Sequence, residues 1–169
     1  MTEPYWQGDG ITVYHADCRE WLGWTQLGDV LITDPPYGVS YVSNSAIGGY
    51  RQGIYRPGST TPINGDNNPA LRDDILVAWG LRPALVFGSW KVTRPEDVRQ
   101  LLIWDKGDSP GMGDLDMPWG PGHEEIYVFG NGWNGKRRSN VLRVPTYSAQ
   151  DPQRPKHPTP KPVSLMEML

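Results

Sequence analysis

The chain has 169 residues, a formal net charge of −3, a single cysteine, Cys18, and 20 glycines alongside 17 prolines. That length suffices for one good-sized core, the glycine and proline content signals long irregular loops, and a lone cysteine excludes an internal disulfide and points to a reducing compartment. With neither a signal-peptide pattern nor an apolar run of transmembrane length, the expected setting is the cytoplasm, with no membrane partner.

In chain order, Ile11–His15 reads as a short strand with the acid Asp17 just beyond it, followed by a helix near 18–27. The apolar run Val30-Leu31-Ile32-Thr33 predicts the next strand, and Asp34-Pro35-Pro36-Tyr37 stands directly at its carboxyl end. Residues 38–69, rich in Gly, Ser and Asn, exceed an ordinary connection and predict a mobile loop. Further on, the pattern predicts helices at 69–80 and 95–100, strands at 84–88, 101–105, 125–129 and 141–144, and a helix from Pro162 onward. Pro162 suits a first helical turn, with Val163, Met166 and Leu169 at helical spacing behind it. Alternating apolar strands and helices predict an α/β fold with a mostly parallel sheet and helices on both faces. Ligands in such folds bind at the strands' carboxyl ends, where this reading puts Asp17, Asp34 and Ser89.

Asp34-Pro35-Pro36-Tyr37 carries the chemistry. An exocyclic amine on adenine or cytosine is a poor nucleophile because its lone pair is delocalised into the ring. Two acceptors, the Asp34 carboxylate and the Pro35 carbonyl, can each take one N–H of that amine and favour a pyramidal nitrogen. The prolines add no competing donor and fix φ, which aims the carbonyls. Tyr37 offers a ring on which a base extruded from a duplex can stack, worth about 1–3 kcal/mol.

With these residues the chain resembles the S-adenosylmethionine-dependent DNA methyltransferases that modify adenine N6 or cytosine N4. The likeness extends in order through Ile11–Cys18, Leu85–Ser89, Leu101–Lys106, His123–Phe129 and His157-Pro158-Thr159-Pro160-Lys161-Pro162. It implies a Rossmann-like methyltransferase fold spanning 1–169 as one catalytic domain, with catalytic Asp34, Pro35, Pro36 and Tyr37. S-adenosylmethionine is implied as cofactor, with Asp17, Asp34, Lys161 and Pro162 at its site, and double-stranded DNA with a flipped target base as partner. Aspartate at position 34 leans toward adenine. In the permuted class that places the catalytic tetrapeptide first, a glycine loop gripping the cofactor should come after Lys161-Pro162 and one helix. None of 163–169 supplies it, so the resemblance implies a fold incomplete at the carboxyl terminus and a complementing carboxyl-terminal fragment as partner.

The remaining features divide into partners and decoys. Charge is uneven: residues 1–37 carry six acids against Arg19 alone, whereas 131–161 carry seven basic residues against Asp151 alone. Lys136, Arg137, Arg138 and Arg143 are therefore candidate phosphate contacts, within a candidate target-recognition insert at 131–156. The string Gly130–Gly135 fits G-x-G-x-x-G, but Lys136–Pro145 behind it reads as a turn into a strand, so the string is expected to be a hairpin and not a cofactor loop. The histidines and Cys18 lack metal-ligand spacing, and no metal is expected. Cys18 reads as buried filler, and Trp21, Trp79, Trp90 and Trp104 as core.

Overall fold

The computed structural model describes residues 3–20, 22–40, 65–108, 114, 116–148, 151–152, 154–155 and 160–169, together with the backbone of 49–51 and 54–56. Trp21, His157–Thr159, most of the expected 38–69 loop and parts of the 131–156 insert lie outside the described residues.

Strands β1 (Trp6–Gly8) and β2 (Ile11–Val13) form an antiparallel hairpin. Its Asp9-Gly10 turn has φ of 50° and 78°, the left-handed pair that matches the twist of flanking strands. The strand expected at 11–15 is therefore present over Ile11–Val13 but lies outside the main sheet. A 3₁₀ turn at Leu22–Gln26 stands where a helix was expected near 18–27. After β3 (Leu31–Thr33), a second hairpin joins β4 (Gly49–Arg51) to β5 (Ile54–Arg56). Helix α1 (Ala70–Trp79) begins behind Pro69 and ends at Gly80, where φ of 75° stops helical propagation.

The main sheet adds β6 (Ala84–Gly88), β7 (Gln100–Asp105), β8 (His123–Phe129) and β9 (Val141–Arg143), in the order β3-β6-β8-β7-β9. Two ladders are parallel, β3 with β6 and β7 with β9; two are antiparallel, β8 with each of its neighbours. The sheet is thus mixed, where the alternation pattern had implied mostly parallel pairing. The reason is visible in the connections. A parallel return needs a crossover of a dozen or more residues, usually helical, and α1 supplies one between β3 and β6. The link from β7 to β8 has no helix among its described residues, and the chain returns antiparallel. The helix expected at 95–100 is also absent, because Gln100 already begins β7.

Both faces of the sheet are covered, as alternation along the strands requires. Ala84 and Val86 of β6 with Tyr127 and Phe129 of β8 pack against Trp79 of α1 on one face. Leu85, Phe87, Ile126, Val128 and Trp104 pack against Leu165 of α2 (Val163–Met166) on the other. Trp79 and Trp104 are core, as expected, whereas Trp90 is 68% exposed. That residue lies two positions beyond β6, past the end of the strand that carries the buried run Ala84–Gly88.

Candidate active site

Parallel register between β3 and β6 pairs Thr33 with Val86, so Asp34 emerges at the same end of the sheet as Gly88 and Ser89. The carboxyl end of β7 and the amino end of β8 reach that end too, bringing Lys106 and Glu124 beside it. Pro35 is buried, Tyr37 packs against the cluster around Phe87 and Trp104, and Asp34 remains solvent-accessible.

The turn after Tyr37 is fixed from a distance in sequence. Gly38 has φ of 79°, and a Cβ there would come within 2.4 Å of the Asn68 backbone, so only glycine fits. The buried Asp66 carboxylate accepts the Gly38 N–H at 2.7 Å and the Val39 N–H at 3.3 Å, and its carbonyl accepts the Ser40 N–H at 2.6 Å. Asp66→Ala would leave the Gly38 and Val39 amides without their acceptor, and a loss of about 1–3 kcal/mol is expected. Urea denaturation of the variant beside the wild type measures it.

Asp34 is gripped on both oxygens. The Tyr37 hydroxyl donates to Oδ1 at 2.6 Å, and Lys161 Nζ meets Oδ2 at 3.0 Å. Lys161 also meets Glu124 Oε2 at 3.0 Å, and Lys106 Nζ meets Glu124 Oε1 at 2.7 Å. The result is a chain of alternating charge, Asp34–Lys161–Glu124–Lys106, laid over the Phe87 and Trp104 rings, with Lys161 Nζ at 4.9 and 5.9 Å from their centroids. Burial pushes the Glu124 carboxyl up, but Lys161 and Lys106 together outweigh it and hold it below the ordinary glutamate value. Its contribution to stability is therefore full above the ordinary glutamate range and is lost as pH falls through the lowered folded value. Burial, then the Asp34 and Glu124 charges, push the Tyr37 hydroxyl far up, so it stays protonated and donates.

Glu125, next along β8, points to the opposite face. There it pairs with Arg94 at 2.6 Å and accepts the Tyr127 hydroxyl at 2.8 Å. The Tyr127 ring lies over Gly88, where a Cβ would sit 2.2 Å from it. Burial and the Glu125 hydrogen bond raise Tyr127 to about 12. These contacts brace the end of β6 from behind.

The other expected site residues are spread out. Asp17 lies four residues beyond β2, in an open cleft of about 550 Å³ lined by His15, Cys18, Arg19, Gly65 and Leu71. Its carboxylate takes the Arg19 side chain at 2.6 and 3.0 Å and the Arg19 N–H at 2.9 Å, which lowers it to about 2. Gly65 links this cleft to the tetrapeptide, since a Cβ there would lie 3.9 Å from Pro36 Cγ. Cys18 is half-buried, and burial raises its thiol. Pro162 is buried and opens α2.

Lys136, Arg137 and Arg138 are exposed in the link from β8 to β9, which leaves the sheet at the end opposite Asp34. Trp133 still donates to the Phe129 carbonyl at that end, and Asn140 has returned along β7 to the Leu101 carbonyl. Arg143 is at the Asp34 end but is bound to Asp105 at 2.8 Å, which holds that carboxyl below its usual value. The Gly130–Gly135 string comes after β8 and opens no helix, as expected, but it is not the hairpin turn that was expected either, because β9 pairs in parallel with β7 and not with β8. Sequence reasoning assigned no role to Lys106, Glu124 or Asp66. Glu124 was legible only as part of a strand, Lys106 only as a strand-end residue, and Asp66 only as one of several turn formers.

No family and no curated protein matches this chain. Ten solved chains do match, among them the crystal structure of an M1.HpyAVI–SAM complex. It is 20% identical to this chain, with 91% of this chain and 72% of that one covered and a TM-score of 0.48. A likeness at that level has no bearing on the reaction or ligand of this chain.

Proposed function

We propose that the protein is a DNA methyltransferase that transfers a methyl group from S-adenosylmethionine to the exocyclic amine of a flipped base, adenine N6 in preference to cytosine N4. The observation that carries this reading is the Asp34-Pro35-Pro36-Tyr37 turn itself: an accessible carboxylate at a strand's carboxyl end, braced on both oxygens and set on a rigid Pro-Pro segment. Each carboxylate oxygen has two acceptor positions, so Asp34 can accept an amine N–H while keeping Tyr37 and Lys161. Accepting that hydrogen bond favours localisation of the amine's lone pair, and the Pro35 carbonyl takes the second N–H. The Tyr37 hydroxyl bonded to Asp34 fixes the half-buried ring beside the carboxylate, and stacking of an extruded base is assigned to that ring.

When bound, S-adenosylmethionine supplies an electrophilic methyl group. The open cleft at Asp17 fits its adenosine half in kind, with a carboxylate for ribose hydroxyls beside apolar Leu71, provided that Arg19 yields part of its hold. Lys161 and Pro162 complete the proposed cofactor side. Among the described residues, no glycine-rich turn at a strand end opens a helix to cradle the methionine half. A carboxyl-terminal piece that supplies that turn therefore belongs to the proposed site. The edge of β3, which among the described residues has β6 as its one partner strand, with Val30 44% and Ile32 39% exposed, is where its strand would pair.

The DNA partner is assigned to the basic residues Lys136, Arg137, Arg138 and Arg143. Neutralising all four should weaken DNA binding and flatten the log–log salt dependence by about 0.9 for each phosphate no longer neutralised. Fluorescence anisotropy across a salt series tests this, and an unchanged slope would make the run a solvated face. The reaction is tested by incubating chain, fragment, S-adenosylmethionine and DNA, then digesting the DNA to nucleosides. N6-methyladenine is expected, and N4-methylcytosine in its place would select the variant reading.

A further inference from the structure

The geometry points to Lys161 as a positioning residue that holds the Asp34 carboxylate in its working orientation by bridging it to Glu124. The inference deepens the reading above and rests on it for the reaction concerned.

Three observations converge. Lys161 Nζ lies 3.0 Å from both Asp34 Oδ2 and Glu124 Oε2, so one ammonium spans two elements of the sheet that sequence keeps 90 residues apart. Its side chain is only 13% exposed and its ammonium lies over the Phe87 and Trp104 rings, so the charge is shielded from water and its pairing is stronger than at an open surface. The backbone delivering it is stiff. Pro160 and Pro162 restrict it on either side, Pro162 is buried, and Leu165 of α2 is fully buried in the cluster that also holds Tyr37.

Charge balance supports the same role. Asp34 and Glu124 together carry two negative charges, and Lys161 and Lys106 match them. Lys106 contacts only the Glu124 end of the chain, which leaves Lys161 as the cation that reaches Asp34 among the described residues. Without it, Asp34 would face the Glu124 carboxylate with no cation between them, and would keep only the Tyr37 hydroxyl to orient it. A lysine serving only the cofactor would not need a second carboxylate anchor on β8.

Lys161→Met keeps the length and apolar stem of the side chain and removes the charge, whereas Lys161→Arg keeps the charge. Two readouts separate the positioning role from the reaction. In the full chain carrying ¹³C-labelled aspartate, the Asp34 carboxyl resonance at pH 7 should move in Lys161→Met and return most of the way in Lys161→Arg. Glu124→Gln, which leaves the lysine but removes its anchor, should move it less. In methyl-transfer assays with the fragment present, Lys161→Met should lower kcat by about 10²-fold while KM for DNA changes by less than about threefold, the pattern of an interaction that matters in the transition state. If Lys161→Met does not fold, the Glu124→Gln resonance decides the question. An Asp34 resonance unmoved by Lys161→Met, or by Glu124→Gln in its stead, overturns the positioning role even if methylation proceeds. A resonance that moves as expected with no methylated DNA from the wild type leaves the positioning role standing and overturns the methyltransferase reading instead.

Discussion

Asp34→Ala is expected to lower methyl transfer by a factor on the order of 10²–10³ while leaving the fold and DNA binding largely intact, because it removes one preorganised acceptor from a site where charge develops. The fold should survive because Asp34 is accessible and its partners lie on elements anchored elsewhere: Tyr37 in the core cluster, and Lys161 through Pro162 and Leu165. Removal also leaves Lys161 with Glu124 as its remaining carboxylate partner among the described residues, a pairing already made at 3.0 Å. Single-turnover kinetics together with anisotropy would read both halves of the expectation. Near wild-type transfer by Asp34→Ala would sink the assignment. At Tyr37 the effects should divide by chemistry. Ala removes both the ring and the 2.6 Å hydrogen bond to Asp34, whereas Phe keeps the ring and loses a bond worth about 1.5–3 kcal/mol when one partner is charged. Equal damage from Ala and Trp would argue against stacking.

The second large effect concerns the edge of the sheet. Among the described residues β3 ends the strand order and pairs with β6 alone. Leu31 and Thr33 take the β6 side of the parallel ladder, as the bond from the Leu31 N–H to the Pro83 carbonyl shows, so the backbone groups of Ile32 face the open side. A carboxyl-terminal fragment bearing a strand and a glycine turn should dock there. The 169-residue chain is expected to bind S-adenosylmethionine weakly or not at all, and to gain cofactor affinity and melting temperature when that fragment is added in trans. A fragment present at 100 times its Kd should stabilise the folded chain by about 2.7 kcal/mol. Calorimetry with and without the fragment checks both. Micromolar cofactor binding by the chain alone would refute the requirement for a fragment.

Much of this architecture was legible in the chain. The apolar runs at 30–33, 84–88 and 101–105 are strands, and 69–80 encloses α1, because local hydrophobic pattern governs where an element forms. Strand order was less accessible. β8 inserts between β6 and β7 by long-range pairing, and the clue was negative, a Gly- and Pro-rich stretch between β7 and β8 too irregular for a crossover helix. The tetrapeptide was legible as a rigid turn at a strand's end that carries a carboxylate and an aromatic ring, and the structure has that turn directly after β3. Its supports were not legible. Asp66 is 28 residues from Gly38, and Glu124 and Lys161 are joined only through tertiary packing, so nothing local distinguishes them from other surface charges. Trp90 misled because tryptophan is usually well buried, and exposure at a strand's end depends on which strands flank it.

The most direct test of the central claim is nucleoside analysis by mass spectrometry of unmethylated DNA incubated with S-adenosylmethionine, the chain and its complementing fragment. The account predicts N6-methyladenine with the wild type and a signal reduced at least about a hundredfold with Asp34→Ala. Unmodified DNA from the complemented wild type, or equal methylation by Asp34→Ala, would contradict it.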